Sequence, residues 1–237
     1  MQVKIVFNNE IINNKFSGGW GFSCLVGEYI IFDTGEKAEY LFNNMKLLDV
    51  KPEDIKTVVI SHDHWDHTGG LWRLLDENKG IKVYGCPGFS QEFKKKVRDS
   101  GAQLQQAQEI TEIAQDVYTT GEIKGSYKGS PVAEQALVVK AKNGITVITG
   151  CSHPGILKIT ERVQEGFPGE KIKMAFGGFH LIDKSETEVQ LIAKELKNRG
   201  VLKVGPTHCT GNQAQEVFKR IYDDKFISIA AGMTFEV

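Results

Sequence analysis

The chain has 237 residues, 41% of them hydrophobic and 25% charged, with a formal net charge of −1. Length and composition suit one soluble domain with a sizeable core, and the balanced charge, with no basic run longer than Lys94–Lys96, argues against nucleic-acid or anionic-membrane partners. The opening MQVKIVFNNE is not patterned as a signal peptide, and no stretch approaches the roughly 18 apolar residues of a membrane span, so the expectation is a cytoplasmic protein.

The predicted elements alternate in kind along the chain. VKIVF (3–7), FSCLV (22–26) and YIIF (29–32) read as strands, the last two as a hairpin. EKAEYLFNNMKLL (36–48) has helical spacing, and Pro52-Glu53-Asp54 opens a short turn. TVVI (57–60) is a strand, Gly69 to about Asn78 a helix, IKVY (81–84) a strand and SQEFKKKVRDSG (90–101) a helix closed by glycine. KGSYKGSP (124–131) is the most loop-like stretch, read as a mobile flap or the joint between two halves. ALVVK (136–140) and ITVIT (145–149) form a second strand pair, followed by the strand IKMAF (172–176). Residues 185–200 form the clearest helix, with Ser185 and Glu188 placed as a capping box and Gly200 at its end. VLKV (201–204), QAQEVFKRI (213–221) and FISIA (226–230) complete a strand, helix, strand series. This order predicts an α/β (α+β) chain: a single domain over 1–237, with two mixed sheets and helices outside, an αββα layering.

Between TVVI and the following helix stands SHDHWDHTGG (61–70), which holds three of the chain's six histidines. A chance HxHxDH in this composition is expected about twice in ten thousand such chains, so a solvated polar loop is a poor explanation. His62 and His64 stand two apart, so on extended backbone their side chains point the same way and reach one ion. Asp66 and His67 face elsewhere as the chain turns into a helix near Thr68, and reach a second ion. Asp63 and Trp65 alternate away; Asp63 reads as a carboxylate supporting the ligands and Trp65 as a wall of the site. Imidazole and carboxylate donors suit Zn²⁺, with Fe, Mn or Co as alternatives. The other three histidines each follow a predicted strand: His153 in TGCSHPG, His180 in GGFH and His208 in PTHCTG. Strand ends opening into such loops are where α/β folds place functional groups. The four cysteines read as thiols, with Cys24 and Cys86 as small buried residues.

His62, His64, Asp66 and His67, after a strand and before a glycine pair, resemble the signature of the metallo-β-lactamase superfamily. GFSCLVGEYIIFDTG (21–35) is similar to that family's opening hairpin. The resemblance implies a four-layer αββα sandwich, two divalent metal ions, a supporting role for Asp33, and His208 as the last metal histidine. DTG, EQALVV, TGCSHPG, GGFH and PTHCTG together resemble a subfamily often labelled dihydropterin ribofuranosylaminobenzene phosphate synthase. Two departures stand out. The region before ITVIT lacks the usual histidine, so His153 takes its place as a ligand. The family's TGD turn reads TGC, which puts Cys151 where a bridging aspartate is expected and leaves it open between ligand and buried structural thiol.

The function this implies is metal-dependent hydrolysis of a small ester, a phosphoester or lactone, with Asp66 orienting the attacking water. By resemblance to phosphodiesterase and RNA-processing members, His180 reads as a general acid or substrate-phosphate ligand, against a structural histidine. The alternatives are a phosphoribosyl-transferring synthase of the pterin-pathway type and a non-enzymatic metal or ligand binder. The expected partner is a small molecule, with a phosphorylated one in view; oligomeric state is not legible.

Overall fold

A computed structural model describes all residues, 1–237, which fall into two compact units, Met1–Gln108 with Ala230–Val237 and Glu109–Ile229. The first unit contains β1 (Gln2–Phe7), β2 (Ser23–Val26), β3 (Ile30–Phe32), α1 (Ala38–Leu47), β4 (Thr57–Val59), α2 (Trp65–Thr68), α3 (Leu71–Glu77), β5 (Lys82–Gly85), α4 (Gln91–Asp99) and β6 (Gln103–Gln106). The second contains β7 (Thr111–Ala114), β8 (Val117–Thr119), β9 (Ile123–Tyr127), β10 (Ser130–Glu134), β11 (Leu137–Ala141), β12 (Gly144–Thr149), α5 (Ile156–Gly166), β13 (Ile172–Gly178), α6 (Glu186–Asn198), β14 (Lys203–Thr207) and α7 (Asn212–Tyr222). The chain then returns to the first unit for β15 (Thr234–Glu236).

The first unit is a seven-stranded mixed sheet in the order β15-β1-β2-β3-β4-β5-β6. β15, β1, β2 and β3 pair antiparallel, and β3 through β6 pair parallel. Ile5, Phe7, Phe22, Phe32, Leu41 and Met45 are buried in its core. The buried Asn44 amide donates to the Val6 and Ser17 carbonyls, both at 2.8 Å, and so pins the long segment between β1 and β2.

The second unit carries a six-stranded mixed sheet, β14-β13-β12-β11-β8-β7, in which β12, β13 and β14 run parallel. Three amphipathic helices supply its core, largely from positions spaced three and four apart: Ile156, Ile159 and Val163 of α5, Val189, Ala193 and Leu196 of α6, and the adjacent Val217 and Phe218 of α7. Each such side chain contributes about 1.5–3 kcal/mol over its exposed state, or less for the alanine. No helix is long and apolar enough to cross a membrane.

The α/β class, the two mixed sheets and the hairpins at 22–32 and 136–149 are as the sequence implies. Several details differ. KGSYKGSP is not the joint between units: it folds into the β9–β10 hairpin, turned at Lys128 (φ 48) and Gly129 (φ 81), and the unit boundary lies at 108/109. FISIA forms no strand; it makes one bridge, Phe226 to Val204, at the edge beyond β14. The helix after the histidine cluster starts at Trp65 and not near Thr68, so Asp66 and His67 already lie in α2.

The capping box of α6 forms as expected, with Ser185 Oγ accepting from the Glu188 N–H and the Glu188 carboxylate accepting from the Ser185 N–H. Hydrogen bonds from the Ser185 backbone and hydroxyl, and from Lys184, hold the Glu188 pKa down to about 2. Ser185→Ala is expected to cost about 1 kcal/mol, measured by thermal or urea unfolding. The Glu188 contribution has the sign of a depressed carboxylate: it is present above the ordinary glutamate range and is lost as pH falls through about 2. The stability gap between wild type and Glu188→Gln therefore narrows on acidification to that value.

Candidate metal centre

In the first unit the histidine cluster lies beyond the carboxyl ends of β3 and β4, where parallel strands of α/β sheets present functional groups. His64 keeps extended backbone (φ −71, ψ 152) before α2 begins. Extended geometry puts the His62 and His64 rings together, with centroids 4.5 Å apart, and the first turn of α2 brings His67 to 4.2 Å from His62. The Asp66 carboxylate stands 3.5 Å from His67 Nε2. His62, Asp66 and His67 are buried, whereas Trp65 is 62% exposed.

The DTG turn sets the orientation of these groups. Asp33, fully buried with φ 55, accepts from the Ser61 N–H and hydroxyl at 2.7 Å each and bonds His67 Nδ1 at 2.7 Å. Ser61 Oγ in turn contacts His62 Nδ1 at 2.9 Å. The Thr34 N–H and hydroxyl both donate to the His67 carbonyl. Added Cβ atoms at Gly21 and Gly69 would overlap the Asp66 carbonyl oxygen and the Glu36 backbone, so glycine is what lets these segments close on α2. Burial alone would lower the His67 pKa; the Asp33 and Asp66 carboxylates outweigh it and raise it well above the ordinary value. The two carboxylates thus favour positive charge at this position, as the surroundings of a metal ion do. Asp63 does not join it: its carboxylate accepts from the Ser90 N–H at 2.8 Å and tethers the start of α4.

In the second unit three loops leave the parallel strands β12, β13 and β14 side by side and carry Cys151 with His153, His180, and His208. The loops are laced together. Ser152 Oγ donates to the Gly178 carbonyl at 2.7 Å, the Phe179 N–H to Thr210 Oγ1 at 3.0 Å, and the Leu181 N–H to the Cys209 carbonyl at 3.2 Å. Ser152, His180 and His208 all adopt left-handed backbone, with φ of 66, 51 and 52. Strain of this kind persists only where the surroundings impose it, and it collects at functional sites.

Glu134, at the end of β10, was not singled out by sequence reasoning. Its buried carboxylate accepts from the backbone N–H groups of Cys151, Ser152 and His153 at 3.0, 2.6 and 2.7 Å, and bonds His153 Nδ1 at 2.8 Å. Burial would raise its pKa, but the bonds and charge from His153 and from the loop N–H groups lower it overall. Its sequence signals are its place at the head of EQALVV and an acidic residue set within a mostly apolar run, VAEQALVV. Burial would likewise raise the Cys209 thiol, but the Cys151 side chain, His208 and His180 bring it well below the ordinary cysteine value. All four cysteines are unbridged and buried. A cavity of about 570 Å³ opens beside His153 and His180, bordered by Ser126, Lys158 and Lys184.

The donor chemistry fits divalent metal. In both units Nδ1 of an imidazole is fixed by a carboxylate, which aims Nε2 outward and makes it a better ligand. The candidate residues lie in the two units, His62, His64, Asp66 and His67 in the first, and His153 and His208 with Cys151 and His180 in the second.

Comparison with known proteins agrees. The family model described as the metallo-beta-lactamase superfamily matches residues 23–208. A protein of Methanocaldococcus jannaschii, named 7,8-dihydropterin-6-methyl-4-(beta-D-ribofuranosyl)-aminobenzene-5'-phosphate synthase, is 29% identical over 266 aligned positions, covering 93% of this chain and 90% of the relative. The crystal structure of Tm1679, described as a metal-dependent hydrolase of the beta-lactamase superfamily, superposes with a TM-score of 0.84 at 33% identity, over 100% of this chain and 99% of the other. The metallo-beta-lactamase fold protein YhfI from Bacillus subtilis shares the fold at 16% identity, with a TM-score of 0.71 over 99% of each chain. From β2 to His208, and in fold throughout, the chain belongs to the metallo-beta-lactamase superfamily.

Proposed function

We propose that the protein is a metal-dependent hydrolase of a small ester-type substrate, a phosphoester or a lactone. The observation that supports this best is the repeated pairing of a buried carboxylate with an imidazole Nδ1, Asp33 with His67 and Glu134 with His153. On this reading His62, His64, Asp66 and His67, together with His153 and His208, hold two divalent ions, Zn²⁺ by the character of the donors, with Fe, Mn or Co as alternatives. Bound there, the ions supply Lewis acidity and a water that ionises near neutral pH. Asp66 orients that water through its carboxylate. Asp33 and Glu134 keep the imidazoles in the tautomer that ligates. The cavity beside His153 receives the substrate, and Lys158 and Lys184 at its border favour an anionic group.

The relatives support two chemistries, since one is named a synthase and another a hydrolase. The second reading is therefore a phosphoribosyl-transferring synthase on the same metals. Metal-loaded protein is expected to turn over at least one of a generic phosphodiester, phosphomonoester or lactone, and to lose that turnover on chelation. If none reacts and phosphoribosyl pyrophosphate raises the melting temperature, the synthase reading replaces the hydrolase.

A further inference from the structure

His180 stands just beyond β13 on left-handed backbone (φ 51). Its ring lies 4.5 Å from that of His153, tilted by 44°. Tyr127 of the β9–β10 hairpin packs edge-on against both rings, at 5.3 and 5.5 Å. His180 Nδ1 is buried and has no hydrogen-bond partner. Buried polar nitrogens are normally satisfied, so this one points to a group that the protein itself does not supply.

Cys151 completes the arrangement. The ligand atoms of Cys151, His153 and His180 all lie within 4.8 Å of one another. Nitrogen and sulfur donors on one tetrahedral ion stand roughly 3.3 to 3.8 Å apart, given their bond lengths to zinc. Glu134 already fixes two of the three, through the Cys151 and His153 N–H groups and His153 Nδ1.

We infer that Cys151, His153 and His180 form one ligand set for a borderline-soft divalent ion, with His180 binding through Nδ1. The inference rests on the metal reading above and adds to it a thiolate and an imidazole. A thiolate with two imidazoles favours Zn²⁺ or Co²⁺ over Mn²⁺ or Mg²⁺. As the sulfur–metal bond forms, the Cys151 thiol gives its proton to solvent. An Nδ1 engaged with an ion does not itself donate a proton, so at that nitrogen His180 is a ligand and not a general acid.

Metal-free protein titrated with Co²⁺ tests this by spectroscopy. Wild type is expected to show a thiolate-to-cobalt charge-transfer band in the near ultraviolet, which Cys151→Ser abolishes. His180→Gly, which accepts the left-handed backbone, is expected to weaken binding of one cobalt at least about tenfold and to change the visible ligand-field bands. His180→Asp places a carboxylate oxygen at the position of Nδ1 and is expected to restore affinity. Circular dichroism of the metal-free proteins checks folding, and His180→Ala replaces the glycine variant if that one fails. Unchanged cobalt affinity and visible spectrum in the His180 variant overturn the inference and leave the metal reading intact. A band that survives Cys151→Ser but not Cys209→Ser also overturns it. Wild type that binds no cobalt overturns both.

Discussion

Replacing His62 and His64 together with alanine is expected to remove at least one metal equivalent per chain. Both rings come from one extended stretch and stand 4.5 Å apart, with His67 4.2 Å from His62, so the double variant strips two donors from a single ion. Neither residue is part of an apolar core layer, and the DTG turn holds its neighbours independently through Asp33, Ser61 and the His67 carbonyl. The fold should therefore survive while the metal leaves. Mass-spectrometric metal analysis after gel filtration reads the loss, and hydrolytic turnover should fall with it by at least about a thousandfold, since the metal supplies both Lewis acidity and the ionised water. Full metal content in the folded double variant would remove these two residues from the ligand set.

Glu134→Gln is expected to lower metal affinity about ten- to hundredfold and to destabilise the protein by roughly 3 kcal/mol. The carboxylate is 1% exposed and serves three loop N–H groups and one ring nitrogen. A carboxamide has only one acceptor oxygen, and its NH₂ group would face donors, leaving buried N–H groups unsatisfied. The depressed Glu134 pKa gives the sign of the pH dependence: its stabilisation is present above the ordinary glutamate value and is lost only as pH falls through the lowered one. Chelator competition for affinity and urea unfolding for stability separate the two effects. A variant with lower stability and unchanged affinity would make Glu134 a loop clamp with no bearing on the metal.

The histidine cluster was legible because its chemistry resides in one short stretch whose spacing fixes side-chain direction. Asp33 was legible through the DTG resemblance, and the structure accounts for it with three 2.7 Å contacts. Glu134 was not, because its partners lie 17 to 19 residues away and meet it only once β10 pairs with β9. The left-handed backbone at Asp33, Ser152, His180 and His208 was equally hidden, since none of these is glycine. Among the strands, β6 and β7 escaped because QLQQ and TEIA carry polar, partly exposed side chains and no apolar alternation. The helix α5 had its signal in Ile156, Ile159 and Val163, but followed TGCSHPG so closely that the loop reading absorbed it. FISIA failed in the opposite direction: it is as apolar as a strand, but the chain is leaving the second unit there and it makes a single bridge, Phe226 to Val204.

The central claim is that the carboxylate-oriented imidazoles hold metal, and metal stoichiometry tests it most directly. Protein purified without chelator, reconstituted with Zn²⁺ and freed of excess ion is expected to retain about two equivalents per chain by mass spectrometry. Retention of none, in protein shown to be folded, would contradict the account.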